Sequence, residues 1–353
     1  MANNNHLPSP FNTAILHLMG LNLEKLLPLV ELQCEYSDEF THILHKENQK
    51  KSFSIPDDIL SNDIGALFTQ WRSMDTPPTL IELLSSAIDL FNFDVDTDLM
   101  TTTMAACILG EIPNANPYHN NDHFREVFYM VIRLCHHNNN LTKTPNDQLS
   151  NDDILLLLLC AAIHDFAHPG HGNVIKDEHF PSYVENRTLN KLQPFWSACG
   201  APPSLIKHIG ILIICTDVSR DQSGHSPASI AREIYLGHQH ANLSAKNTPD
   251  KYAPLTQKKQ LSLMSMILCE ADIAMSSGLN YTFSKAMTHL IAMENDFLQP
   301  SPKTLHGFMT TICHGGYLTP AAQSLMGDAF QSILLDTEQD GIENNLYDNS
   351  LFV

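Results

Sequence analysis

The stretch Ser150-Asn151-Asp152-Asp153-Ile154-Leu155-Leu156-Leu157-Leu158-Leu159-Cys160-Ala161-Ala162-Ile163-His164-Asp165-Phe166-Ala167-His168-Pro169-Gly170 decides the fold. Ser150 with an acid three residues on is a helix start, because hydroxyl and carboxylate take up N–H groups that the first turn leaves without partners. Every residue from Ile154 to Ile163 is then apolar. Such a run outlasts an ordinary buried strand yet is too short to cross a bilayer. A helix apolar on all sides belongs at the centre of a large helical core. Pro169 and Gly170 must stop it. His164 and Asp165 therefore stand at the end of a buried helix, where a carboxylate is costly unless backbone donors or a cation compensate its charge.

Outward from this helix the pattern stays helical. Leu205 to Cys215 and Leu261 to Ala274 read as two further buried helices. No hairpin dipeptide sits between alternating β-branched residues, and nothing repeats at a fixed period. The expected fold is all-α, a compact multi-helix bundle with a metal site at its centre. Pro-containing loops interrupt it at Pro77-Pro78, Pro113 to Pro117, Pro202-Pro203 and Pro300 to Pro302. Residues 1–56 read as an N-terminal helical extension and connector, 57–335 as the main domain, and 336–353 as an acidic tail with a solvated end. The leucine-rich extension would suit a homodimer contact, a lid or a targeting arm.

A chain of 353 residues can bury a full-sized core. Hydrophobic residues at 43% against 17% charged mark a folded protein rather than a disordered one. Its 20 basic and 39 acidic residues give a net charge of -19, a field that repels phosphate backbones and argues against nucleic-acid binding. An anionic substrate would need local cations to approach. The eight cysteines stand singly, several inside apolar runs, so reduced thiols and a reducing compartment are expected. No basic segment precedes the first apolar stretch, and no run is long enough to span a bilayer. The expectation is a soluble cytoplasmic protein with no membrane partner.

Chemistry concentrates in clusters. Tyr118-His119-Asn120-Asn121-Asp122-His123 places two imidazoles four apart, on one face if the segment is helical. One of them suffices as a metal ligand and the other would face a substrate, unless both are surface histidines. His168 stands where it would support the His164-Asp165 pair or touch a phosphate. Asp272 closes the apolar helix Leu261 to Leu268 with Glu270 beside it, and Asp217 ends another apolar run. Helix ends delivering His and Asp to one interior place are the pattern of a metal site in an all-helical protein. No Gly-x-Ser-x-Gly elbow, Walker loop or Gly-x-Gly-x-x-Gly is present.

Taken in order, Tyr118-His119-Asn120-x-x-His123, His164-Asp165-x-x-His168-Pro169-Gly170-x-x-Asn173 and Ala271-Asp272 resemble class I cyclic nucleotide phosphodiesterases of the HD superfamily. The resemblance runs from roughly Leu84 to Phe330. It implies a phosphodiesterase-like, HD-type fold and hydrolysis of a 3′,5′-cyclic nucleotide, cAMP or cGMP or both, to the 5′-monophosphate. It implies His123, His164, Asp165 and Asp272 as ligands of a first cation, zinc, with Asp165 bridging to a second, magnesium or manganese. It further implies attack by a hydroxide shared between the ions, with His119 as the general acid that protonates the departing ribose oxygen. Tyr118, Asn120, His168, Asn173, Glu185 and Asp217 fall on positions that support the ligands or flank the second ion. Phe308 falls on the aromatic wall that stacks on the base.

The sequence departs from the family where the base is read. The family's glutamine two positions before Gly307-Phe308 is Leu305 here, followed by His306, and its asparagine three positions after the last metal aspartate is Met275. A Leu-Glu-Asn-His-His stretch keeps Glu185-Asn186, with Arg187-Thr188 for the histidines. Leucine cannot make a bidentate hydrogen bond, so purine discrimination would rest on His306 or another polar group. Two readings stand beside cyclic nucleotide hydrolysis. One is an HD-type hydrolase of another nucleotide or phosphodiester; the other is a catalytically impaired, metal-containing binding module.

Overall fold

The computed structural model describes residues 35–48, 60, 61, 63–95, 97–144, 148–175, 178–221, 224–240, 248–295 and 300–343. In chain order its helices are α1 (Ser37–Asn48), α2 (Ile64–Ser73), α3 (Leu80–Phe91), α4 (Asp98–Gly110), α5 (Asn121–Leu141), α6 (Asn151–Ile163), α7 (Tyr183–Ala198), α8 (Pro203–Ile214), α9 (Pro227–Gln239), α10 (Ala253–Gln257), α11 (Lys259–Ser277), α12 (Tyr281–Glu294), α13 (Pro302–Gly307) and α14 (Pro320–Glu343). The fold is all-helical apart from a two-residue antiparallel ladder, Val174–Ile175 against Glu178–His179.

The central element is α6. Ser150 Oγ accepts the Asp153 N–H at 3.2 Å, and Asp153 Oδ2 accepts the Ser150 N–H at 3.0 Å, the reciprocal cap that the sequence predicts. Every residue from Ile154 to Ile163 is buried. Each leucine or isoleucine there contributes roughly 1.5–3 kcal/mol by leaving water. Helices α4 and α5 pack on α6, and α4 comes so close that a Cβ on Gly110 would lie 2.3 Å from the Ala162 carbonyl oxygen. Helix α11 packs on α5 and α6 and carries α9, α12 and α14 on its other sides. The end of α6, the start of α5 and the middle of α11 thus lie around one interior space.

Several expectations change at this level. Helices α8 and α11 form where the apolar runs predict them, but α11 continues to Ser277, so Asp272 sits inside the helix rather than at its end. His119 and His123 do not share a helical face: Asn120 caps α5, and His119 lies in the turn before it. The boundary at residue 335 falls within α14, where Thr337 and Gly341 are buried, so the first part of the acidic tail is packed helix. Helix α1 sends Phe40, Ile43 and Leu44 into the common core, which joins this part of the N-terminal extension to the main body. The leucines from Leu21 to Leu32 lie outside the described residues, as does Cys34. The seven described cysteines are free and buried. No single described helix is long and apolar enough to cross a membrane.

Candidate metal centre

Local chemistry aims each ligand. Asn120 Oδ1 accepts the N–H groups of Asp122 (3.0 Å) and His123 (3.2 Å), while its Nδ2 donates to the carbonyls of Asn116 and Pro117. One asparagine thereby starts α5 and fixes the turn that carries Tyr118 and His119. His123 follows in the first turn of α5, fully buried. His164 caps the C-terminus of α6, and its Nδ1 donates to the Ala161 carbonyl at 3.1 Å. That bond leaves Nε2 facing the interior space. Asp272 approaches from α11.

The donor atoms converge. His123 Nε2 and His164 Nε2 are 3.3 Å apart; Asp272 Oδ1 is 3.1 Å from the first and 3.5 Å from the second. Asp165 Oδ2 lies 3.3 Å from His164 Nε2 and 3.9 Å from His123 Nε2. A tetrahedral ion with bonds of about 2.0–2.2 Å spaces its ligands roughly 3.3–3.6 Å apart, so His123, His164 and Asp272 suit a zinc-sized cation in spacing and donor type, with Asp165 at the edge of the set. Burial opposes the charge on Asp272 and on Asp165, but the neighbouring imidazoles outweigh it and hold both carboxyls below their usual range. Burial likewise opposes the charge on His164, yet Asp165 and Asp272 hold it up at about 9. The proton so held on Nε2 is one that a cation would displace. His123 is pushed down by burial. Its Nδ1 has no hydrogen-bond partner among the described residues, and the Tyr118 ring packs against the imidazole with centroids 4.7 Å apart.

Behind the ligands Asn173 is a hub. Its Nδ2 donates to Asp217 Oδ1 (2.9 Å) and Glu185 Oε2 (3.3 Å), and its Oδ1 accepts the Val184 N–H (2.8 Å). Asp217 also accepts the N–H groups of Ser182 and Ser219, each at 2.8 Å. Asp217, expected to support the ligands or flank a second ion, has its oxygens engaged by hydrogen bonds that tie the loop after α8 to the start of α7. Burial, and then the charges of Asp217 and Asp165, push the Glu185 carboxyl well up. A cation beside Asp165 would relieve that repulsion.

His119 stands at the rim with 22% of its side chain exposed. Its Nδ1 meets Glu294 Oε2 at 2.5 Å, and Glu294 Oε1 accepts the N–H groups of Tyr118 and His119 at 2.7 and 2.8 Å. The Nε2 faces Asp165 Oδ2 at 3.7 Å. Burial works against the imidazolium, but Glu294 and Asp165 prevail and the His119 pKa is raised. The Glu294 carboxyl, disfavoured by burial but bonded to His119, is held at about 2. The His168 ring stacks on His119 with centroids 4.0 Å apart, and its Nδ1 accepts the N–H of Gly170, whose φ of 82° suits glycine. Burial and the His119 charge push His168 down to about 3, so it is neutral and carries its proton on Nε2. Glu294 is the member that sequence reasoning missed. As an acid at a helix end it looks like any solvated glutamate, and its partner lies 175 residues away.

The expected base-contacting residues fare differently. Leu305 and Met275 are buried, at 1% and 0% exposure, so neither offers a surface to a ligand. Phe308 is half-buried at the head of a π-helical turn, Phe308–Ile312. His306 reaches toward Glu338 of α14 at 3.5 Å. Arg187 and Thr188 hold the loop that follows His164 and Asp165: Thr188 Oγ1 donates to the Phe166 carbonyl at 2.7 Å and Arg187 Nε to the Ala167 carbonyl at 3.2 Å. Ala167 has a φ of 59°, unfavourable for a residue with a Cβ, and these bonds fix that turn between Asp165 and His168. No family model matches the chain, and no curated protein matches it in sequence.

Proposed function

We propose that the chain is a metal-dependent phosphodiester hydrolase of the HD type, acting on a 3′,5′-cyclic nucleotide. One observation carries this reading: His123, His164 and Asp272 converge on one point, Asp165 lies at their edge, and a Glu294-braced His119 faces them. A purely structural metal site has no use for a charged imidazole at its rim. Two divalent cations, zinc among the four ligands and magnesium or manganese beside Asp165, would supply hydroxide near neutral pH and neutralise phosphoryl oxygens. The chain's own residues do the rest. His119, kept protonated, donates from Nε2 to the departing ribose oxygen while Glu294 holds Nδ1. His168, neutral, presents an Nε2–H to the same space. Buried reduced thiols fit a reducing cytoplasm.

The test is turnover with metal analysis. Metal-loaded protein is expected to release 5′-monophosphate from cAMP or cGMP, and His119→Ala to lower kcat by about 10²–10⁴ with metal content unchanged. Stoichiometric metal with no turnover of any phosphodiester would refute it. The burial of Leu305 and Met275 favours one second reading, in which the base edge is not read and another diester is the substrate. Cyclic pyrimidine nucleotides and bis(4-nitrophenyl) phosphate in the same panel separate the two.

A further inference from the structure

A narrow pocket opens between the loop after α8, the first turns of α9, α11 and the turn that follows Phe308. It adjoins the metal centre through the chain itself: Val218 follows Asp217, and Ile273 follows Asp272. Successive residues of a helix point about 100° apart, so the pocket lies one face of α11 round from Asp272. Its bed is apolar, and its charged or titratable groups are Arg220, Arg232, His314 and Glu270.

Arg232 is out of character for this chain. Each of the other arginines has a partner: Arg72 pairs with Glu126 and Arg125 with Glu111 and Asp122, while Arg133, Arg187 and Arg220 donate to the carbonyls of Ser61, Ala167 and Thr311. Arg232, half-buried on α9, has neither a hydrogen bond nor an ion pair among the described residues. The acid among the lining residues, Glu270, has its oxygens committed to the N–H groups of Leu318 and Thr319 and to the Thr319 hydroxyl. Arg220 donates one nitrogen to the Thr311 carbonyl at 2.8 Å and keeps its other donors. His314 lines the same pocket as Arg232 and Arg220, and burial first, then their charges, push its pKa down. Guanidinium groups in such a setting match the oxygens of a phosphate, and the positive end of α9 adds to their field.

We propose that this pocket binds a phosphate-type oxyanion, held by Arg232 and Arg220 beside the metal centre. The anion is either a phosphate group of the substrate remote from the scissile diester, which rests on the phosphodiesterase reading, or a free phosphate. Calorimetric titration of full-length, metal-loaded protein with inorganic phosphate tests the shared chemistry. The wild type is expected to bind a phosphate that Arg232→Met weakens by about tenfold or more and Arg232→Lys weakens less. Arg220→Met, on an exposed side chain that does not threaten folding, is expected to weaken it by roughly two- to fivefold. Asp165→Asn removes only the metal-dependent component. Equal phosphate affinity in the wild type and Arg232→Met, or a wild-type phosphate that depends wholly on Asp165, overturns the proposal.

Turnover separates the sources. Arg232→Met raising the KM of a diester with an added phosphomonoester far more than that of bis(4-nitrophenyl) phosphate identifies a substrate-borne anion. A phosphate effect on the rate with both substrates, absent in Arg232→Met, identifies a free one. Failure of the hydrolase reading is visible independently, as absent turnover with the Arg232-dependent phosphate still bound.

Discussion

Glu294 decides what His119 can do. Its carboxylate accepts three hydrogen bonds from the Tyr118–His119 turn, and its charge raises the pKa of the imidazole despite burial. The sign follows directly. A raised pKa keeps the acid form present to higher pH, so activity that needs a proton donor falls only on the alkaline side. Glu294→Gln preserves the shape but removes the charge, so the alkaline limb of the kcat profile is expected to move to lower pH with metal content unchanged. A limb that stays in place would detach Glu294 from the proton. Asp165→Asn acts on the other function: metal content measured by plasma mass spectrometry is expected to fall, because a carboxylate edge of the donor set is lost.

At the scale of elements, the centre depends on how closely α4 seats against α6. Gly110→Ala places a methyl against the Ala162 carbonyl, and urea unfolding is expected to show a loss of about 1–3 kcal/mol, with weaker metal binding as His164 shifts. Thr188→Val leaves the buried Phe166 carbonyl without its donor and is expected to cost about 1–3 kcal/mol by the same measurement. Helix α6 was legible in the sequence because its cap and its apolar run are local signals. His164, Asp165 and Asp272 were legible as candidates, since a charged group at or just beyond an apolar run must meet a compensating charge or donor inside the core, whereas His123 was singled out as a ligand by the resemblance alone. The end of α11 was not: Ala274 to Ser277 loses the apolar signal, and packing of neighbouring helices carries the helix onward. His119 leaves the helical face because Asn120 caps more strongly than the following turn can recruit it. Residue identity at Leu305 and Met275 was readable, but their burial depends on neighbours that no local window contains.

Over the whole molecule, a net charge of -19 surrounds an interior that gathers Asp165, Asp272, Asp217 and Glu185. A cation bound there stabilises the folded chain by mass action, by about 2.7 kcal/mol at a hundredfold excess over its Kd. Zinc is therefore expected to raise the melting temperature in calorimetry and a chelator to lower it; a melting temperature indifferent to both would argue against a buried cation. The connection from Glu294 back to His119 also bears on when the centre is completed during synthesis of the chain. A nascent chain that has released α5 and α6 carries His123, His164 and Asp165 but not yet Asp272 or Glu294. Such a fragment would carry three of the proposed ligands, but neither Asp272 nor the carboxylate that braces the proposed acid. Competence arrives only when α11 and α12 have left the ribosome and docked, so an interrupted translation product lacks the hydrolysis proposed for the finished protein.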